Sequence, residues 1–382
     1  MDIQRLLAIL DQFSSKRVMV LGDLIADEYL FTHCSRISRE APVLILRYES
    51  SEVSLGGGAN ATHNVRTLGA EVWPVGVVGK DEVGECVLDL MRKKGISTDL
   101  IHVAKGCYTT TKTRVLAGSQ HTTKQQVVRI DREPTGHCAA EVEEFVIRSL
   151  QENIDRVDAL LVSDYGLGIC TPKVREKINQ LASLTSKIIT VDSRYETLSY
   201  RGVTALTPNE PEIEAALQLM LNNDDDVKTC GQLALQKTGC QSILITRGKK
   251  GMFLLERAAE PCFIPIYGKD EVADVTGAGD TVISTFTLAL TCGATKHEAA
   301  RLANYAGGIV VMKSGTAPIH WNELREAVEG EGNSGEEGGE GGEGEQGDKE
   351  TVRPGERGGG DISLKSPCFK EKVMVKLNHE PL

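Results

Sequence analysis

Several common signatures are missing from this 382-residue chain. No Gly-x-x-x-x-Gly-Lys-Ser/Thr run occurs, and Gly248-Lys249-Lys250-Gly251 does not supply one, which excludes a Walker-type phosphate loop. The Gly-x-Gly turn that does occur, at 277–279, lies far from any first βαβ unit, unlike a dinucleotide fingerprint. The ten cysteines are scattered, the closest pair being Cys230 and Cys240, and no Cys-x-x-Cys or Cys/His cluster offers a zinc or redox site. They read as reduced thiols, most of them core filler. No apolar run approaches a membrane span, and Met1 to Leu10 is an amphipathic helix start rather than a secretion signal. The expectation is a cytoplasmic protein with no membrane partner.

Basic residues are also scarce: 43 Lys and Arg stand against 54 Asp and Glu, a formal charge of −11. The imbalance is local. Between Glu329 and Asp361 there are 11 acids and 3 bases, a net of −8, so the remainder carries only −3. That argues against a nucleic-acid partner and against acidity as a substrate signal. The same segment is a Glu/Gly repeat with too little apolar surface to offset its ordering entropy. The expected organisation is therefore a folded domain over 1–328, a disordered segment over 329–361 and a short tail over 362–382. In that tail only Val373, Val375 and Leu377 hint at a strand.

With 40% hydrophobic residues the chain can hold a large α/β core. Short apolar runs recur and each ends in polar residues. Arg17 to Leu21 ends at Gly22-Asp23, Ala159 to Val162 at Ser163-Asp164, and Ile188 to Val191 at Asp192. Ala205-Leu206 ends at Thr207-Pro208-Asn209, and Ile243 to Ile245 at Thr246-Arg247-Gly248. Separated by helical stretches, such runs describe a parallel sheet whose ligands bind beyond the strand C-terminal ends. Val43 to Glu52 and Thr109 to Asp131 break this pattern with β-branched and alternating residues. They suggest a small projecting sheet, either a lid or plain surface hairpins.

The most specific stretch is Asp274-Val275-Thr276-Gly277-Ala278-Gly279-Asp280, followed by the apolar run Val282 to Leu290. Glycines let backbone N–H groups approach a ligand, and a helix N-terminus favours an anion such as phosphate. A carboxylate beside that anion is unfavourable unless it takes the proton of a hydroxyl attacking the phosphate. Asp280 is the candidate base; as a bare helix-start residue it would have no chemical role. Asn209-Glu210-Pro211-Glu212 reads either as a capped helix or as a carboxylate ordering water around Mg²⁺. Thr246-Arg247-Gly248 suits nucleotide phosphates and is also a common turn. Gly56-Gly57-Gly58-Ala59-Asn60, with Asp23 and Asp27 after the first strand, supplies the bidentate polar groups that a polyol needs. Asn60 as a helix cap and Asp27 as a solvated loop acid are the alternatives.

Taken in order, these motifs resemble the ribokinase-like (pfkB) carbohydrate kinase family over about residues 5–328. The resemblance implies a three-layer αβα sandwich with a mostly parallel central sheet and a small β-strand lid. It implies Asp280 as catalytic base, with Gly277, Ala278 and Gly279 as the anion hole. Asn209 and Glu212 would serve the phosphates and Mg²⁺, the latter through water, while Thr246, Gly248 and Asn304 would meet the nucleotide. Asp27, Gly57, Gly58 and Asn60 would hold the sugar. The backbone of Asp274 and Thr276 would engage a monovalent cation such as K⁺. The expected cofactor is Mg²⁺ with ATP, and the expected assembly is a homodimer.

Within the family, Ser35 to Val43, Gln126 to Asp131, Leu161 to Tyr165 and Asp274 to Val282 are most similar to heptose 7-phosphate kinases. That implies ATP-dependent phosphorylation of the C1 hydroxyl of D-glycero-β-D-manno-heptose 7-phosphate, on the route to ADP-heptose. A phosphorylated substrate needs cations, and Arg36, Arg114, Lys124 and Arg129 are available in the lid and its neighbour. Two departures stand out. Asp164-Tyr165-Gly166-Leu167-Gly168 has a leucine where the resemblance leads to a lysine, and Arg194 follows Asp192 where a lysine is usual. No His-x-Gly-His motif is present, so adenylyl transfer is expected to fall to another protein. The alternatives are a kinase for another sugar on the same fold, and a non-catalytic sugar- or nucleotide-binding regulator.

Overall fold

A computed structural model describes residues 2–118, 124–134, 140–257, 259–268, 274–313 and 315–336. In chain order the strands are β1 Arg17–Gly22, β2 Leu24–Ile37, β3 Leu44–Gly57, β4 Glu71–Gly79, β5 Ile101–Ala104, β6 Thr110–Gly118 and β7 Gln125–Arg132. They continue as β8 Ala159–Asp164, β9 Ile188–Ser193, β10 Ala205–Leu206, β11 Ser242–Thr246, β12 Met252–Glu256 and β13 Cys262–Ile264. The helices are α1 Ile3–Leu10, α2 Gly58–Thr67, α3 Glu82–Lys93, α4 Ala140–Asn153 and α5 Pro172–Leu184. After them come α6 Glu210–Leu217, α7 Asp224–Thr238, α8 Ala278–Thr291, α9 Lys296–Val310 and α10 Trp321–Glu336.

Nine strands form the central sheet in the order β13-β12-β11-β10-β9-β8-β1-β4-β5. Every pairing from β11 to β5 is parallel, and β12 and β13 add antiparallel at one edge. Alternation along β1 explains the layers. Val18 and Val20 join one core with residues of α1, α2, α3, α8, α9 and α10, while Met19 and Leu21 join a second with α4, α5, α6 and α7. Burial on both faces is why these strands read as continuous apolar runs.

A second sheet, in the order β3-β2-β6-β7, is the lid. Both stretches that broke the parallel pattern belong to it. Strand β2 was not legible as a strand. It follows β1 after the single residue Asp23, and charged, aromatic and apolar residues alternate irregularly along it, with bulges near Phe31 and Cys34. The one-residue link carries the chain straight from the central sheet into the lid.

Helix α10 runs on to Glu336, past the domain end expected at residue 328. Its Arg325 pairs with Asp11, Trp321 Nε1 donates to the Leu10 carbonyl, and Arg301 of α9 pairs with Glu331. A helix held by such contacts accommodates glycine at a cost of about 1 kcal/mol each. The rest of the Glu/Gly segment and the 362–382 tail lie outside the described residues. No described helix is long and apolar enough to cross a membrane, and no described cysteine is in a disulfide.

Candidate active site

The parallel order brings the polar strand ends side by side. Gly22 of β1, Ser163 of β8 and Asp192 of β9 stand in one register row, and Thr207 just after β10 and Thr246 at the end of β11 continue the same edge. The N-terminus of α8 points into this edge. Gly277 caps it at φ +78°, and a Cβ there would fall 2.5 Å from Asn60 Nδ2, so only glycine allows the turn to meet α2.

Asp280, in the first turn of α8, is 1% exposed. Asn60 Nδ2 donates to its Oδ2 at 2.9 Å, Tyr165 Oη lies 3.2 Å from both carboxylate oxygens, and Ser163 Oγ lies 3.4 Å from Oδ1. Burial pushes its pKa up to about 7; the three donors hold it down and the charge of Asp27 adds to the rise. That is suited to accepting a proton near neutral pH. Among the described residues, the N–H groups of Gly277 and Gly279 have no protein acceptor, whereas that of Ala278 donates to the Val275 carbonyl at 3.2 Å. The anion hole expected from three amides therefore has two free ones, because the tight turn uses Ala278 internally.

Two cavities flank this turn. One, about 260 Å³, is lined by Asp164, Tyr165, Asp192, Arg194, Glu212, Thr246, Gly277 and Gly279 among others. The other, about 270 Å³ and largely apolar, is lined by Thr246, Gly248, Met252, Ile266, Val282 and Asn304 among others. Thr246, Val275 and Gly279 belong to both, so a ligand in the apolar cavity can extend past Gly279 into the polar one. An apolar slot leading to free amides and a buried carboxylate has the shape and chemistry to take a nucleotide with its phosphates toward Gly279.

Asn209 and Glu212 form a reciprocal capping box, each side chain accepting the other's backbone N–H at 2.9 Å. Capping does not remove them from the site: both residues also line the polar cavity. Burial raises the pKa of Asp192 well above the carboxylate range, reinforced by Glu212, and burial raises Glu212 as well. Two desolvated carboxylates with open coordination toward a phosphate path fit a magnesium ion that keeps waters and substrate oxygens as its other ligands. Among the described residues no group of three or more His, Cys, Asp or Glu forms a full protein cage. Arg247 is not free for phosphate. Its guanidinium bonds Glu210 at 2.8 Å and Asp224 at 2.7 Å, locking α6 and α7 to the end of β11. Arg194 is the arginine that lines the polar cavity.

On the lid side, Asp27 lies in β2, 3% exposed, and bonds the buried Arg114 of β6. It is not a solvated loop acid. A Cβ on Gly56 would fall 2.5 Å from its carboxylate, which explains the glycine. Burial raises the Asp27 pKa, while Arg114, Lys112 and Arg129 pull it down. By strand register Asp27 faces Lys112 and Tyr29 faces Arg114, which in turn faces Arg129, so the cations share the lid face that carries Asp27. Arg36 does not join them. It is exposed nine residues beyond Asp27 on the same strand, about 30 Å away at strand rise. Lys124 is paired with Glu49.

Gly57 and Gly58 sit where β3 enters α2, with Gly58 N–H donating to the Asp23 carbonyl at 2.9 Å. Asn304 Nδ2 donates to the Pro265 carbonyl at the rim of the apolar cavity. The Asp274 carboxylate accepts from Thr276 N, Thr276 Oγ1 and Gly315 N, which ties the glycine turn to residues 315–316 and leaves any cation to backbone carbonyls. Sequence reasoning did not assign roles to Tyr165, Ser163, Asp192 or Arg194. All follow apolar runs at strand ends, and only the sheet order shows that those ends are neighbours.

Comparison with known proteins agrees with this geometry. The family model described as "pfkB family carbohydrate kinase" matches residues 15–322. "Bifunctional protein HldE" of Desulfatibacillum aliphaticivorans is 37% identical over 358 residues, 94% of this chain and 71% of that protein. The protein of the same name from Pelobacter propionicus is 37% identical over 329 residues, 86% of this chain and 66% of its own. The chain thus spans about two thirds of the length of these relatives. Among solved structures, Arabidopsis thaliana ribokinase complexed with ribose and ATP superposes with a TM-score of 0.64 at 17% identity, covering 82% of this chain and 98% of that one. Escherichia coli phosphofructokinase-2 in complex with potassium gives 0.63 at 18%, covering 82% and 98%. With the family model spanning the central sheet, the lid and α8, the chain belongs to the pfkB family of carbohydrate kinases.

Proposed function

We propose that this ATP-dependent carbohydrate kinase phosphorylates the C1 hydroxyl of D-glycero-β-D-manno-heptose 7-phosphate, giving the 1,7-bisphosphate used in ADP-heptose synthesis. The observation that carries the sugar-phosphate part is the cluster of Lys112, Arg114 and Arg129 on the lid face beside Asp27. A neutral sugar needs no such cluster, whereas a phosphate at the far end of a seven-carbon chain does. The heptose itself is supported by the relatives and by the four similar sequence stretches.

In this reading Asp27, Asn60 and the Gly57-Gly58 backbone orient the sugar so that C1–OH meets Asp280. The adenine lies in the apolar cavity near Asn304 and Gly248, with the phosphates running past Thr246 toward Gly279. The C1 oxygen forms the new bond to the γ-phosphorus as its proton passes to Asp280. The bond from that phosphorus to the β,γ-bridging oxygen breaks, and ADP leaves with the electron pair. The amides of Gly277 and Gly279 hold the charge of the transferring group. Asp192 and Glu212, the latter through water, would hold Mg²⁺, whose charge offsets that of the phosphates. The carbonyls of Asp274 and Thr276 would hold K⁺, as the potassium complex of the neighbouring phosphofructokinase encourages.

Val128 and Ile130, exposed on the lid face opposite Arg129 and Asp131, support a homodimer joined through that face. Light scattering on the parent and an Ile130→Glu variant tests it: the parent should have twice the chain mass and the variant should be monomeric.

The test of the substrate is ADP release with Mg·ATP and the heptose 7-phosphate, beside ribose, fructose and fructose 6-phosphate. Selective turnover of the heptose is expected. Turnover of another sugar would move the substrate, and silence with intact ATP binding would favour a regulator.

A further inference from the structure

Tyr165 is a side chain that neither the family motifs nor the substrate reading assigns. It stands in the loop after β8, the loop that departs from expectation at Leu167. Its hydroxyl is 3.2 Å from both oxygens of Asp280, a two-pronged contact that no other donor makes. Asn60 holds Oδ2 alone, and Ser163 approaches Oδ1 alone. The single hydroxyl proton can serve either oxygen, so the contact anchors the carboxylate as a whole even as it turns about its terminal torsion.

The loop carrying Tyr165 is itself pinned by two buried carboxylates. Asp23 accepts N–H bonds from Tyr165 at 2.9 Å, and from Leu167 and Ile169 at 3.3 Å. Asp164 accepts from Gly166 N at 3.0 Å through one oxygen, and from Ser193 Oγ and Tyr200 Oη through the other. Two adjacent buried acids are an expensive way to build a loop. Burial and the charge of Asp164 raise Asp23 to about 7, yet all three of its side-chain hydrogen bonds go to this one segment. The plain consequence is a fixed position for the Tyr165 hydroxyl.

We propose that Tyr165 is a positioning residue for the base: it holds the Asp280 carboxylate toward C1–OH and stays hydrogen-bonded to it through the proton transfer. A phenol donates to the ionised carboxylate before transfer and accepts from the protonated carboxyl after it, so neither state leaves a buried polar atom unpaired. The Asn60 amide can only donate from Nδ2 and cannot make that exchange. Leu167 keeps its role in the loop through its backbone N–H, which a change of side chain does not touch.

This inference rests on Asp280 as base and not on the identity of the sugar. The test is Tyr165→Phe in the full chain, assayed with whichever sugar of the panel above the parent turns over. The expected result is a fall in kcat of about ten- to a hundredfold, with KM for sugar and ATP within threefold. A kcat within threefold of the parent would overturn the proposal, as would equal losses through KM. A second measurement needs no substrate: carboxyl ¹³C shifts of aspartate-labelled protein, with the Asp280 signal assigned by its loss in Asp280→Asn. Removing the phenol donor should move the Asp280 midpoint upward by about half a pH unit or more, and an unmoved midpoint would overturn the proposal. The groups facing Asp280 are Asp27 from β2, Asn60 from α2, Ser163 from β8 and Asp192 from β9. All are retained in the variant, so the shift reports Tyr165. If the panel gives no turnover, the ¹³C shifts alone decide.

Discussion

Strand β8 is buried at every position from Ala159 to Asp164, whereas strand β7 is exposed at every position from Gln125 to Arg132. Both carry groups of the same site. The central sheet delivers the carboxylates and the base-holding side chains from strands packed on both faces, where rotamers are locked and a misplacement is costly. The lid delivers cations from a sheet with one open face, where ion pairs such as Arg129 with Asp131 can be exchanged for a substrate oxyanion. In the proposed function, chemistry sits on the rigid part and recognition on the adaptable part. Each part has its own glycine constraint: Gly277 lets the α8 turn approach Asn60 of α2, and Gly56 of β3 leaves room for the Asp27 carboxylate within the lid sheet.

The largest contrast should come from removing the base. Asp280→Asn preserves the shape of the buried site and should lower kcat by about a thousandfold, with ATP affinity unchanged by calorimetry. Near-normal turnover would remove the central sheet from the chemistry. On the lid, Arg129→Gln should raise KM for the sugar phosphate about tenfold and leave kcat within twofold. Sugars without a phosphate should not respond. A kcat effect equal to that of Asp280→Asn would erase the distinction between the two regions.

The same comparison predicts opposite pH responses for activity and stability. Asp23 and Asp280 have folded-state pKa values near 7 against 3.8 when unfolded. The folded protein therefore binds more protons than the unfolded chain between about pH 4 and 7, so this contribution is complete below the unfolded pKa. It is lost as pH rises through the folded pKa. Tm should rise by several degrees from pH 7.5 to pH 5.5, and the Asp23→Asn, Asp280→Asn double variant should flatten that slope. With Asp280 as the base, the ionised fraction and hence the rate should fall by about twentyfold over the same interval. A Tm that falls with the activity would place the dominant titration elsewhere.

The smallest effect is expected at the C-terminus. Deleting residues 337–382 spares α10 and its Arg301–Glu331 pair, and should leave kcat unchanged and Tm within about 2 °C. A loss beyond that would mean the acidic segment packs on the domain and contributes to both regions.

The sequence by itself determined the local devices. Apolar runs ending in polar residues marked β1, β8, β9, β10 and β11 as buried parallel strands, because two covered faces leave no room for alternation. The order Gly-Ala-Gly-Asp before an apolar helix pointed to a candidate anion site and base, because glycine, helix N-terminus and acid have few other reasons to coincide. Asn209 and Glu212 were legible as a pair, because a capping box is a spacing rule. What only the tertiary structure decided was which devices meet. The pairing of Tyr165 with Asp280 spans 115 residues and that of Asp27 with Arg114 spans 87, and no local pattern encodes either. The same holds for Arg36, excluded by its distance along a strand whose length the sequence concealed, and for Arg247, whose charge is spent inside the fold. Propensity and periodicity act over a few residues, whereas sheet order and burial set which charges face one another and which must be shared.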